Sequence, residues 1–121
     1  MELKKEFAKD KPLYTTAVVA SMLDITPDRL RMYDTLQLIT SHRIKTGKLQ
    51  RRLYSQYDIE WLKCLRMLFG NQKFNLASVK FLIQLVNANP KMHFPKNEVG
   101  EILAQMSKNP NLKTTAEKIQ S

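Results

Sequence analysis

The chain has 121 residues, 43% of them hydrophobic, which is enough for one compact domain and too short for two ordinary ones. Twenty Lys and Arg against eleven Asp and Glu give a formal net charge of +9, an excess that favours a polyanionic partner. No apolar run approaches the roughly 18 residues of a membrane span, and the charged opening Met1-Glu2-Leu3-Lys4-Lys5-Glu6 does not read as a secretory signal.

Residues 1–12 are mostly charged and read as a loose arm ending at Pro12. Thr15 can cap a first helix whose apolar residues Val18, Val19, Met22 and Leu23 recur at helical spacing. After a break at Asp24-Ile25, Thr26-Pro27-Asp28 marks a second start: a capping hydroxyl, proline at the first helical position, and an acid favoured by the helix dipole. This helix extends to Thr35 or Leu36, with Leu30 inward and Arg29, Met32 and Tyr33 on faces available to a partner. Two short helices joined by a turn of about three residues form a helix-turn-helix candidate. Leu38-Ile39-Thr40 and Leu49 to Tyr54 then read as extended segments, joined by a basic loop with Thr46-Gly47 at its tip. That hairpin carries Arg43, Lys45, Lys48, Arg51 and Arg52, with no acid between Asp34 and Asp58. A basic ribbon after a helix-turn-helix is the layout of a winged helix.

Ser55-Gln56-Tyr57-Asp58 resembles a capping box with Asp in place of Glu, and opens a third helix of about 14 residues that Gly70-Asn71 ends. Asn75 can cap a fourth, which stops near residues 87–90. Between Pro95 and Ser107, Val99, Ile102, Leu103 and Met106 are spaced i, i+3, i+4, i+7, a short amphipathic helix. Its stripe packs either on the fourth helix or on a second copy. Helix-turn-helix proteins commonly pair symmetrically, which favours the dimer contact. The expected organisation is therefore mostly α: an arm (1–12), a winged helix-turn-helix with a small β-hairpin wing and two further helices (13–89), a short C-terminal amphipathic helix (90–108) and a flexible tail (109–121).

Five of the six arginines fall within residues 29–52, and residues 28–52 carry a net +5, more than half the total charge. Guanidinium groups fork onto phosphate oxygens and guanine edges, so Arg29, Arg31 and the wing residues Arg43, Lys45, Lys48, Arg51 and Arg52 are the candidate DNA contacts. Thr15 and Thr26, at the two helix starts, and Tyr33, whose hydroxyl can donate to a phosphate, complete the set. Arg29 is nearest the helix N-terminus and is assigned to base edges. Cys64 lies on the apolar stripe of the third helix and reads as a buried structural thiol; a lone cysteine suits a reducing bacterial cytoplasm. His42 either touches phosphate or sits in solvent, and His93 is incidental. One cysteine and two histidines argue against a zinc site, and no cofactor is expected.

The segments Tyr14-Thr15-Thr16-Ala17-Val18-Val19-Ala20, Thr26-Pro27-Asp28-Arg29-Leu30-Arg31-Met32-Tyr33-Asp34, Arg52-Leu53-Tyr54-Ser55 and Asp58-Ile59 together resemble the DNA-binding domain of MerR-type transcriptional regulators. Asn75-Leu76-Ala77-Ser78-Val79-Lys80 is similar to a segment of the heat-shock repressor branch. The resemblance implies a winged helix-turn-helix binding double-stranded DNA as a homodimer at an inverted repeat, with the second helix as the recognition helix. It matches Arg31 and Tyr33 to a backbone-contacting pair, and Arg43 and Arg52 to the arginines that open and close the wing. It also implies, by family analogy alone, a chaperone co-repressor. Asp24 and Gln37 stand where the family usually has glycine, Ser41 where it has proline, and no long C-terminal dimerisation helix is visible.

The expected function is thus a sequence-specific transcriptional regulator, a repressor rather than an enzyme, since no nucleophile is paired with a base at a recognisable spacing. Two alternatives share the composition: an excisionase-like or architectural DNA-binding factor, and a protein-interaction adaptor with a basic face.

Overall fold

A computed structural model describes residues 8–120. In chain order the elements are β1 (Tyr14–Thr15), α1 (Thr16–Leu23), α2 (Pro27–Thr35), β2 (His42–Thr46), β3 (Leu49–Tyr54), α3 (Gln56–Phe69), α4 (Leu76–Ala88), α5 (Glu98–Ser107) and α6 (Asn111–Gln120). The architecture is a winged helix-turn-helix backed by four helices. Among the described residues no helix is long and apolar enough to cross a membrane.

Local chemistry sets most of the boundaries. Thr15, Thr26, Ser55 and Asn75 each accept a hydrogen bond from the backbone N–H three residues on, satisfying a donor that the first turn leaves free. The capping box at α3 is complete, with the Asp58 carboxylate accepting from the Ser55 N–H at 2.8 Å. Asp24 and Gln37, at φ 57° and 65°, end α1 and α2 in the left-handed conformation. In both cases the following N–H reaches back five residues, Ile25 to the Ala20 carbonyl and Leu38 to that of Tyr33. These are the positions where the resembled family keeps glycine, and here Asp and Gln take up the left-handed backbone.

The sheet has the order β1-β3-β2 and is antiparallel throughout. Thr46 pairs with Leu49, so Gly47 and Lys48 form a two-residue hairpin loop. Gly47 has φ +62° and Lys48 does not share the positive sign, the pattern of a type II′ turn. Two expectations need correction here. The first wing strand is His42–Thr46, not 38–40, because Leu38 and Ile39 are fully buried and belong to the core. The Leu38 carbonyl accepts from Trp61 Nε1 at 2.7 Å and from Thr115 Oγ1 at 3.4 Å, which takes it out of any strand ladder. Strand β1, pairing Tyr14 with Tyr54, carries no sequence signal at two residues.

The core runs from Val19, Leu23 and Leu30 through Trp61, Leu62, Leu65 and Leu68 to Ile83, Ile102 and Met106. Within α1 the inward residues are Val19, Ala20 and Leu23, while Val18 and Met22 of the same apolar set stand about half exposed. The larger corrections concern the C-terminal third. The expected loose tail (109–121) carries α6 (Asn111–Gln120), whose Leu112, Thr115 and Ala116 are buried against α3 and α4. Ile102, Leu103 and Met106 of α5 are buried on α3 and α4, and Val99 is partly buried beside them. The stripe assigned to a dimer contact is therefore the inner face of this chain. Gly100 lets the Pro95 loop fold closely over the start of α5, since a Cβ there would lie 1.7 Å from the Pro95 carbonyl oxygen. Of the expected arm, residues 1–7 lie outside the described part. Residues 8–12 are tied down, the Lys9 carbonyl accepting from the Tyr57 N–H at 3.1 Å and Lys9 Nζ lying 3.6 Å from Glu60.

Candidate nucleic-acid interface

Helix α2 is short and locally determined. Its cap Thr26, Pro27 at the first position and Asp28 in the first turn are the features that let nine residues stay helical, and Leu30 anchors it to the core. Leu30 at 0% and Tyr33 at 2% exposure define its inner side, leaving Asp28, Arg29, Arg31, Met32 and Thr35 on the outside. Tyr33 is thus withdrawn from the contact set. Its ring stacks on Phe69 with centroids 5.7 Å apart and is core, although the sequence placed it beside Arg31 on the outer face. Arg31 forms an ion pair with Asp28 one turn earlier. Both groups are well exposed, so the pair contributes little and does not compete strongly with a phosphate.

The tertiary fold gathers a subset of the candidates. An open groove of about 550 Å³ is lined by Thr15, Pro27, Arg31, Gln50, Arg51 and Arg52, together with Thr16 and Ala17. It brings the start of α1, the outer side of α2 and the central strand of the wing to one concavity. The helix starts present partial positive charge to the same space as three guanidinium groups, an arrangement suited to phosphate oxygens. Thr26 and Arg29 stand exposed on α2, and Lys45 and Lys48 stand exposed at the hairpin end, outside the groove lining. Arg43 is half exposed on β2.

Both Arg43 and Arg52 face a group the sequence reading passed over. Asp34, in the last turn of α2, accepts from Ser41 Oγ at 2.9 Å and from Arg43 at 3.5 Å. Arg52 Nε lies 3.0 Å from the same oxygen, an ion pair whose N–H is not aimed for a hydrogen bond. A signal for Asp34 was available: it is the last acid before a long basic stretch, at a helix end where the dipole disfavours it. His42 stands half exposed at the start of β2. Its Nε2 lies 3.6 Å from the buried Asp58 carboxylate, which also accepts from Asn111 at 2.8 Å.

Cys64 is buried and its thiol donates to Gln105 Oε1 at 3.7 Å. Burial pushes the thiol up to about 11, with Glu60 adding to the shift. Folding favours its neutral form, so this contribution to stability is intact below about pH 9 and is lost as the pH rises towards 11. Iodoacetamide at pH 8 is expected to leave the folded protein unmodified and to alkylate it fully in denaturant, as read by intact mass. Rapid alkylation of the folded chain would show that the thiol is reachable.

The fold and the groove define a winged helix-turn-helix protein with a basic concave face. The model of the MerR HTH family of regulatory proteins matches residues 14–85, and the chain belongs to that family. Over 82 residues it is 38% identical to a Streptomyces coelicolor protein bearing the name heat shock protein HspR, an alignment that takes in 68% of this chain and 52% of the relative. The chain thus spans about half the length of that curated relative. No solved structure matches it.

Proposed function

We propose that the protein is a sequence-specific repressor of transcription that binds double-stranded DNA as a homodimer on an inverted repeat. The observation that carries this reading is the groove in which Arg31, Arg51 and Arg52 meet the starts of α1 and α2. In this reading α2 enters the major groove, with Arg29 towards base edges, and the wing lies over the flanking backbone with Lys45 and Lys48 near phosphates. The family membership supports a regulator in place of an adaptor whose basic face meets protein. The name of the Streptomyces relative supports a place in the stress response, where a chaperone co-repressor would act on the same promoters. With the α5 stripe buried, a second copy has to pair through another face.

Duplexes selected by the protein from a random library, titrated against scrambled duplexes over a range of salt, test the reading. The selected sites should be symmetric and bind about a thousandfold or more tighter than scrambled ones. Log K should fall linearly with log salt, at about 0.9 per neutralised phosphate. Equal affinity for both duplex sets would sink the specific regulator, and selected sites that lie in recombination sites and not promoters would favour an excisionase-like factor.

A further inference from the structure

We infer that Asp34 is a positioning residue, a carboxylate that locks both strands of the wing to the end of the recognition helix and orients Arg52 into the groove. This rests on the DNA-binding reading of that groove. Arg43 and Arg52 are direct cross-strand partners, so their side chains leave the same face of the wing side by side. Like charges opposite one another weaken a strand pair unless something neutralises them. Asp34 does so from outside the sheet. Its side chain is 11% exposed; its Oδ2 accepts from Ser41 of the connecting loop and Arg43 of β2, and pairs as an ion with Arg52 of β3 at 3.0 Å. An acid in the last turn of a helix opposes the helix dipole, so this carboxylate is held there by the two arginines and not by its own helix. Arg52 connects the two environments: one part of its side chain lies against Asp34 while the residue also lines the groove with Arg31 and Arg51. A carboxylate that fixes a guanidinium in one orientation reduces the rotamer freedom lost when that group meets a phosphate.

The test exploits the sign of the charge. D34N removes a negative charge from a surface read as facing DNA, so simple electrostatics makes it bind duplex DNA more tightly. Positioning demands the reverse: affinity for the selected duplex falls about five- to tenfold. D34E, which restores the carboxylate, recovers most of that loss. R52Q in the D34N background adds little further, because the two residues act as a unit. Tighter or unchanged binding by D34N, or strictly additive losses for D34N and R52Q, overturns the inference. Hydrogen exchange without DNA separates this from the DNA reading itself. In D34N the wing amides of residues 42–54 should exchange faster while those of α3 and α4 keep their protection. If the parent chain binds no duplex DNA, the DNA reading fails, and unaltered wing exchange in D34N then overturns the positioning role as well.

Discussion

Ending the chain at Asn109 is expected to destabilise it by about 4 to 6 kcal/mol, because α6 is part of the core and not an appendage. The loss has two sources. Leu112, Thr115 and Ala116 are buried against α3 and α4, and removing a buried leucine side chain alone costs about 2 to 5 kcal/mol. The deletion also strips the Asn111 amide from Asp58, which keeps the Ser55 N–H and the nearby His42, and a lost hydrogen bond to a charged group costs about 1.5 to 3 kcal/mol more. The Leu38 carbonyl loses Thr115 at the same time but keeps Trp61. Against a total stability of about 5 to 15 kcal/mol, the shortened chain should melt roughly 15 to 25 °C lower, or be unfolded at 37 °C. Calorimetry of the two lengths decides it, and Leu112→Ala in the full chain should reproduce about half of the drop. Melting within a few degrees of the parent would mean that α6 rests on the surface without contributing to the core.

The second large effect concerns DNA. Replacing Arg31 and Arg51 together by Ala should weaken binding to selected and scrambled duplexes alike and reduce the salt slope by about 1.8, two phosphate contacts at about 0.9 each. Both line the groove, and neither is buried, so folding should be unchanged to within about half a kcal/mol. Removing Arg31 also leaves Asp28 without its partner on the same face, which deepens the loss through repulsion of phosphate. Arg29→Ala should behave differently. It is exposed on the outer side of α2 and outside the groove lining, so it should cost about 1 to 3 kcal/mol of discrimination at a single base pair. Anisotropy titrations at several salt concentrations separate the two patterns. A double variant that keeps the parent slope would remove Arg31 and Arg51 from the phosphate contacts, and an Arg29→Ala protein with undiminished sequence preference would remove base reading from that arginine.

Much of this was legible in the sequence because its causes are local. The caps at Thr15, Thr26, Ser55 and Asn75 each act over three residues, so composition and spacing alone located the starts of α1 to α4. Gly47 at the hairpin tip is equally local, since a two-residue loop needs positive φ and glycine supplies it. Facing was harder. An amphipathic pattern says that a stripe is apolar without saying what covers it, so Val99, Ile102, Leu103 and Met106 could equally have met another copy. In α1, where apolar residues occupy more than one side, periodicity could not choose between Val18 with Met22 and Val19 with Ala20 and Leu23.

By itself, then, the sequence determined a short capped helix pair and a basic hairpin that together carry five of the six arginines, and the family pattern that joins them. These rest on interactions within a few residues and on charge, which is additive along the chain. Only the tertiary structure decided that α6 closes the core, that Tyr33 turns inward onto Phe69, and that Asp34 meets Arg43 and Arg52. Each of these depends on a partner from 9 to 77 positions away along the chain, as with Asp34 and Arg43 or Leu38 and Thr115. Burial and ion pairing are set by what the fold places across the gap, and that cannot be read from neighbours on the same strand or helix.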